Sequence, residues 1–221
     1  MLRRMVRLLW ISFFVTQLSA AESWLEFHPT HPGSTETVQV NLRPSSARWT
    51  VARFQHLTKR SRENLSLGSD HSIELTLADP GVALLACDTR DSDSSGERYA
   101  KALIVPAGAR AGGSLHWSEV GQRLEIVPQT DPVDLATRGG DVTLQVLHER
   151  EPLSDSHVIA HPINDPDASL RVMTDEIGLV RFTPPAAGVW VFSVVHDTTC
   201  RDCRSGLRRL RSSLTLAVGT R

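Results

Sequence analysis

The sequence predicts an all-β protein of two β-sandwich domains behind a cleaved signal peptide. Three observations carry this expectation. Short runs rich in β-branched and apolar residues recur along the chain, with the length and alternation of half-buried strands. Turn signals separate these runs at short intervals, and no stretch carries the 3.6-residue apolar period of a long amphipathic helix. A small, flexible segment, PAGARAGG (Pro106–Gly113), interrupts the pattern near mid-chain and marks the expected boundary. The expected division is 1–21 signal peptide, 22–112 N-terminal sandwich and 113–221 C-terminal sandwich.

The N-terminus reads as an export signal. Arg3, Arg4 and Arg7 charge the opening segment, LLWISFFV (Leu8–Val15) is apolar, and Ser19 and Ala21 supply small residues before a cut. The apolar run is far shorter than the roughly 20 residues that span a bilayer, so no membrane span is expected after cleavage. ETVQVNL (Glu36–Leu42) then alternates cleanly after a turn, HPGSTE. WTVARFQHL (Trp49–Leu57), SIELTL (Ser72–Leu77), GVALLACD (Gly81–Asp88) and YAKALIV (Tyr99–Val105) complete the strands of the first half.

The second half holds seven short strands over about a hundred residues, the pattern of an immunoglobulin-like or prealbumin-like sandwich. They are RLEIVP (Arg123–Pro128), DVTLQVL (Asp141–Leu147), HVIAHP (His157–Pro162), LRVM (Leu170–Met173), LVRFTP (Leu179–Pro184), VWVFSVVH (Val189–His196) and SSLTLAV (Ser212–Val218). TDEIG (Thr174–Gly178) is expected to be a turn whose Gly178 can take a positive φ.

Charge narrows the partners. The full chain carries 24 basic and 25 acidic residues. Removing the three signal arginines leaves a mature net charge of −4. That balance argues against nucleic acid, which calls for a basic face. No Gly-rich phosphate loop, nucleophile elbow or His-Glu zinc helix marks an enzyme, so a non-catalytic protein is expected, with no required cofactor.

The order LEIVPQTDP, GGDVTLQVL, EPLSDSHVIAH, TDEIGLVRFTPPAAGVWVFSVVH, RSSLTLAV resembles domain-of-unknown-function family 4198, a group of bacterial exported proteins. ESWLEF, PGSTETVQVNL and ERYAKALIV fit the first half of the same family. Members are often labelled periplasmic components of cobalt or nickel transport. The resemblance therefore implies a periplasmic or secreted binding or accessory protein for transition-metal uptake, with an envelope protein or transporter component as partner. Members often begin the mature chain with a histidine; this chain has Glu22 there. The second half also resembles the prealbumin-like regulatory modules appended to carboxypeptidases, which act as spacers or binding platforms. That implies the alternative of a structural or adhesion module for an envelope protein or polysaccharide.

Two stretches hold the residues of interest. HPTHP (His28–Pro32) sets two histidines between prolines, most simply as solvated loop residues. HDTTCRDC (His196–Cys203) sets a histidine at the expected end of a strand and a Cys-x-x-Cys pair in the loop that follows. Three chemistries are open to it. His196, Cys200 and Cys203 offer one nitrogen and two thiolates to zinc or copper(I). In an oxidising compartment Cys200 and Cys203 pair as a disulfide. As a free dithiol they would serve an exported thiol oxidoreductase, although no helix N-terminus is there to activate them. Cys87, in an apolar strand, is expected to be a buried small hydrophobe. The basic run LRRLR (Leu207–Arg211) is expected on a solvated face or at a partner contact.

Overall fold

Alternation along the strands sorts the side chains onto the two faces of one long sheet. The computed structural model describes residues 24–29, 37–43, 50–55, 61–77, 82–90, 96–106, 108–111 and 119–221. The signal segment, His31 and the expected 112/113 boundary lie outside them. The described residues form β1 (Trp24–Pro29), β2 (Thr37–Arg43), β3 (Thr50–Gln55), β4 (Ser61–Leu65), β5 (Ser72–Thr76), β6 (Ala83–Arg90) and β7 (Gly96–Ile104) in the first half. The second half contributes β8 (Leu124–Pro128), α1 (Pro132–Arg138), β9 (Val142–His148), β10 (Glu151–Pro152), β11 (His157–Pro162), β12 (Leu170–Met173), β13 (Leu179–Phe182), β14 (Gly188–Thr199) and β15 (Leu207–Val218). The fold is all-β, as the alternation predicts.

One eight-stranded sheet, ordered β12-β11-β14-β15-β7-β6-β3-β4, runs through both halves. The join is a parallel pairing of β15 with β7, from Arg209↔Gly96 to Thr215↔Ala102. On one face, Val51, Leu85, Cys87, Ala100 and Ala102 pack against Leu25, Val40, Leu42, Ile73 and Leu75 of the small β1-β2-β5 sheet. On the other, Tyr99, Leu103, Trp190, Phe192, Val194, Leu210 and Leu214 pack against Leu124, Ile126, Val142, Leu144, Val146 and Phe182 of the β8, β9 and β13 layer. The two covering sheets thus lie on opposite faces of the shared sheet, one over each half. Each fully buried Val, Leu, Ile or Phe among them contributes about 1.5–3 kcal/mol.

Three local features depart from the expectations. β14 continues three residues past His196 to Thr199, and β15 begins at Leu207, so most of the supposed loop and its basic run are strand. The polar ladder holds because Arg209 Nε and Nη2 each donate to the Asp197 carboxylate at 2.8 Å, across the register pair Asp197↔Arg209. A seven-residue helix, α1, forms where no helix is expected. Its signal was local: the Asp131 carboxylate accepts from Val133 N–H at 2.8 Å, Pro132 occupies the first turn and Gly139 closes the end. Two strands, β1 and β4, also lie outside the alternating runs; β4, SRENL, is polar because, among the described strands, it pairs only with β3 and forms a sheet edge.

Candidate functional site

The core columns of the second sandwich end in polar residues. Along β9 the inward positions Val142, Leu144 and Val146 are fully buried, and the next is His148. Along β14 the inward positions Trp190, Phe192 and Val194 are buried, and the next is His196. Both histidines are half-buried, and their ring centroids stand 4.6 Å apart with the planes at 52°. Burial, then the neighbouring His196, lowers the pKa of His148.

Beyond His196 the same column carries Thr198 and Cys200. The Sγ atoms of Cys200 and Cys203 stand 1.93 Å apart, the distance of a disulfide, and both residues are buried. The turn between the strands is closed by Cys200 N–H donating to Gly206 O and Gly206 N–H to Cys203 O, each at 2.9 Å. The structure therefore brings the two sulfurs to each other, while His196 packs on His148. Among the described residues, no group of three or more His, Cys, Asp or Glu side chains is placed to hold a metal ion. Cys87 is free and buried, and burial pushes its pKa up. His157 and His161 share a face of β11, but His157 is exposed while His161 is buried, edge-on to Trp24 at 6.2 Å. The side chain of His28 and all of His31 lie outside the described positions.

A charge network that the motif search missed ties this end of the sandwich to the first half. Glu97 of β7 is 3% exposed. Its carboxylate accepts from Arg208 Nη1 at 3.0 Å, from Arg123 Nη1 at 3.3 Å and from the Tyr99 hydroxyl. Arg208 Nη2 also lies 3.4 Å from Cys200 Sγ, so the closed turn and the buried carboxylate share one guanidinium. Arg123 Nη2 donates to Glu149 at 2.8 Å; this bond, followed by Glu97, raises the pKa of Arg123, and Arg123 in turn lowers that of Glu149.

One step further along the seam, Lys101 Nζ donates to Glu125 Oε1 at 2.7 Å with both side chains 1% exposed. The Glu125 carboxylate also accepts the backbone N–H groups of Val120, Gly121 and Gln122 at 2.8, 3.1 and 3.2 Å. Burial lowers the pKa of Lys101, and Glu125 opposes that shift. The signal was legible: Lys101 is the single charge in the apolar run YAKALIV, and Glu125 the single charge in LEIVP.

The loop that Glu125 gathers forms one wall of a cleft of about 200 Å³. Ala52 and Ala86 make its floor, where register aligns them with Lys101. Asp88, Tyr99, Gln122 and Arg123 line its sides. Gln122 Nε2 donates to Cys87 O at 2.9 Å, which fixes the amide, and its buried Oε1 has no hydrogen-bond partner.

These features define a β-sandwich protein whose polar end and adjoining cleft are assembled from both halves of the chain. The chain belongs to the family described as Domain of unknown function (DUF4198), which matches over residues 79–198. No curated protein matches the chain. Among solved structures it is similar to a chain from a 1.5-MDa bacterial ice-binding adhesin, at 9% identity and a TM-score of 0.28, covering 83% of this chain and 57% of that one. It is also similar to the D0-D1 domain of intimin, at 13% identity and a TM-score of 0.26, covering 90% of this chain and 98% of that one. A tetra-tandem repeat from the extending region of a large adhesion protein matches at 10% identity and a TM-score of 0.25, with 89% and 49% coverage.

Proposed function

We propose that this protein is a non-catalytic, exported binding or accessory module of the cell envelope, and that a transition-metal ion is its ligand. The observation that carries the reading is the polar end of the second sandwich. There two half-buried imidazoles meet beside a carboxylate–guanidinium network that draws one half of the chain onto the other. Arg123 and Arg208 are each engaged by Glu97, which suits groups that hold a binding end in shape. Family membership supports an envelope role, with a transporter component as the partner. The test is thermal unfolding of metal-free protein with Co²⁺, Ni²⁺, Cu²⁺ or Zn²⁺. An ion bound only by the folded form raises stability by about 2.7 kcal/mol at a hundredfold excess over Kd. A midpoint unmoved by all four ions sinks the metal reading.

A second reading, a structural module that docks on an envelope protein or polysaccharide, is favoured by one specific feature. Register aligns Met173, His157 and Val195 across β12, β11 and β14, and all three are exposed beside the edge strand β12. A Met173→Ser/Val195→Ser protein that sediments with isolated envelopes as wild type does would remove this reading.

A further inference from the structure

We propose that His148 and His196 form an open, two-imidazole site for a borderline divalent transition-metal ion. This rests on the metal-binding form of the function proposed above and assigns it to two particular side chains.

The geometry suits a shared ion. With metal–nitrogen bonds of about 2.0–2.1 Å and interligand angles of 90–110°, two coordinating imidazoles have ring centroids roughly 4.5–5.2 Å apart. The observed separation is 4.6 Å. The backbone directs both side chains to the same end of the core, since each is the next inward residue after a buried apolar column. His148 Nε2 is buried and has no hydrogen-bond partner. A histidine kept only for packing would be expected to satisfy that nitrogen. Arg123 is the nearby cation acting on His148, and its charge is engaged by Glu97 and Glu149.

The donor set also selects the ion. Two imidazole ligands favour Cu²⁺ over Ni²⁺, Co²⁺ and Zn²⁺ by the general affinity order. The sulfurs of Cys200 and Cys203, at bonding distance from each other, offer no thiolate. Two protein ligands leave the other positions to water, so binding is modest and exchange fast. That suits a module that passes an ion on.

The test is titration of Cu²⁺ into the purified, tag-free, metal-free chain, followed by calorimetry and electron paramagnetic resonance. The expected first equivalent shows two imidazole nitrogens. His148→Gln and His196→Gln should each raise its Kd tenfold or more, whereas His157→Gln and Cys200→Ser/Cys203→Ser leave it unchanged. A first equivalent indifferent to both glutamine variants overturns the site while the metal-binding reading stands. No bound ion overturns both. Should a glutamine variant fail to fold, Zn²⁺ titration of the wild-type chain decides by NMR. The ring C–H signals of His148 and His196 should shift together, and movement of other histidine signals in their place refutes the assignment.

Discussion

Replacing Lys101 by methionine should cost this protein a large part of its stability, and the structure says how the cost divides. The Lys101–Glu125 pair is 1% exposed on both sides, at 2.7 Å. Lys101→Met keeps the hydrophobic stem volume but leaves a buried carboxylate facing only the N–H groups of Val120, Gly121 and Gln122. Breaking a buried pair from one side costs about 3–5 kcal/mol. For a chain of this size that lowers the thermal midpoint by about 6–20 °C, at roughly 2–4 °C per kcal/mol. Glu125→Gln should be at least as damaging. It strands the Lys101 ammonium and turns an amide NH₂ toward N–H donors that the carboxylate now satisfies. The double variant Lys101→Met/Glu125→Gln removes both charges and should recover part of the worse single loss, giving a coupling energy above about 0.5 kcal/mol. Urea unfolding of the four proteins measures this. Single losses under about 1 kcal/mol, or a double variant equal to the sum of the singles, would refute the claim that this pair fastens the two layers.

Three further predictions follow from local geometry. Cys200→Ser/Cys203→Ser should cost about 2 kcal/mol in urea unfolding, the chain-entropy value for so short a ring, because the residues are three apart in sequence; no loss would mean that the sulfurs are not bonded in solution. Gly178→Ala should cost on the order of 1–3 kcal/mol: Gly178 has φ +72°, and an added Cβ would lie 2.7 Å from the Val146 carbonyl oxygen. The hydrogen bond from Arg209 holds Asp197 below its ordinary pKa of 3.8. A carboxylate depressed by folding stabilises above the unfolded pKa and loses that contribution as pH falls through the folded one. Asp197→Asn should therefore be less stable than wild type at pH 7, and the two should converge as pH falls below about 3.8; a gap that persists in acid would rule the ion pair out as its source.

Much of the fold was legible because strand periodicity is a local signal. ETVQVNL alternates and VWVFSVVH is a nearly continuous apolar run; β2 takes up the first from Thr37 onward and β14 contains the second. What was illegible was non-local. Nothing in SSLTLAV or YAKALIV announces that β15 and β7 pair in parallel across more than a hundred residues. Likewise His148 has no motif; only the register of two inner columns brings it to His196. The reach of β14 beyond His196 was hidden for another reason. Polar HDTT extends as strand because it pairs with Leu207–Leu210 of β15, where Arg209 stands opposite Asp197, and that arginine belongs to a run that composition assigns to solvent. Lone charges inside apolar strands were the neglected clue, since a buried Lys or Glu is rarely left without its partner.

Those lone charges also explain how two covering sheets settle on one shared sheet in a unique register. Along β7 the inward charges are Glu97 and then Lys101; across the seam stand Arg123 and then Glu125. The polarity of the two pairs is reversed. Sliding the β8 layer to bring Glu125 against Glu97, or Arg123 against Lys101, sets like charges together in a site with little water. Packing of leucines and valines alone would tolerate such a slide, because apolar contacts are non-directional. The alternating pairs supply the direction, and Arg208 and Arg123 extend the same lock to the disulfide turn and to Glu149. A Glu97→Gln chain should accordingly loosen the polar end without unfolding the sheets. Amide exchange should quicken at residues 120–123 and 200–206 while the interior of β6 stays protected. Uniform quickening across β6 as well would mean that Glu97 supports the whole fold rather than the seating of this end.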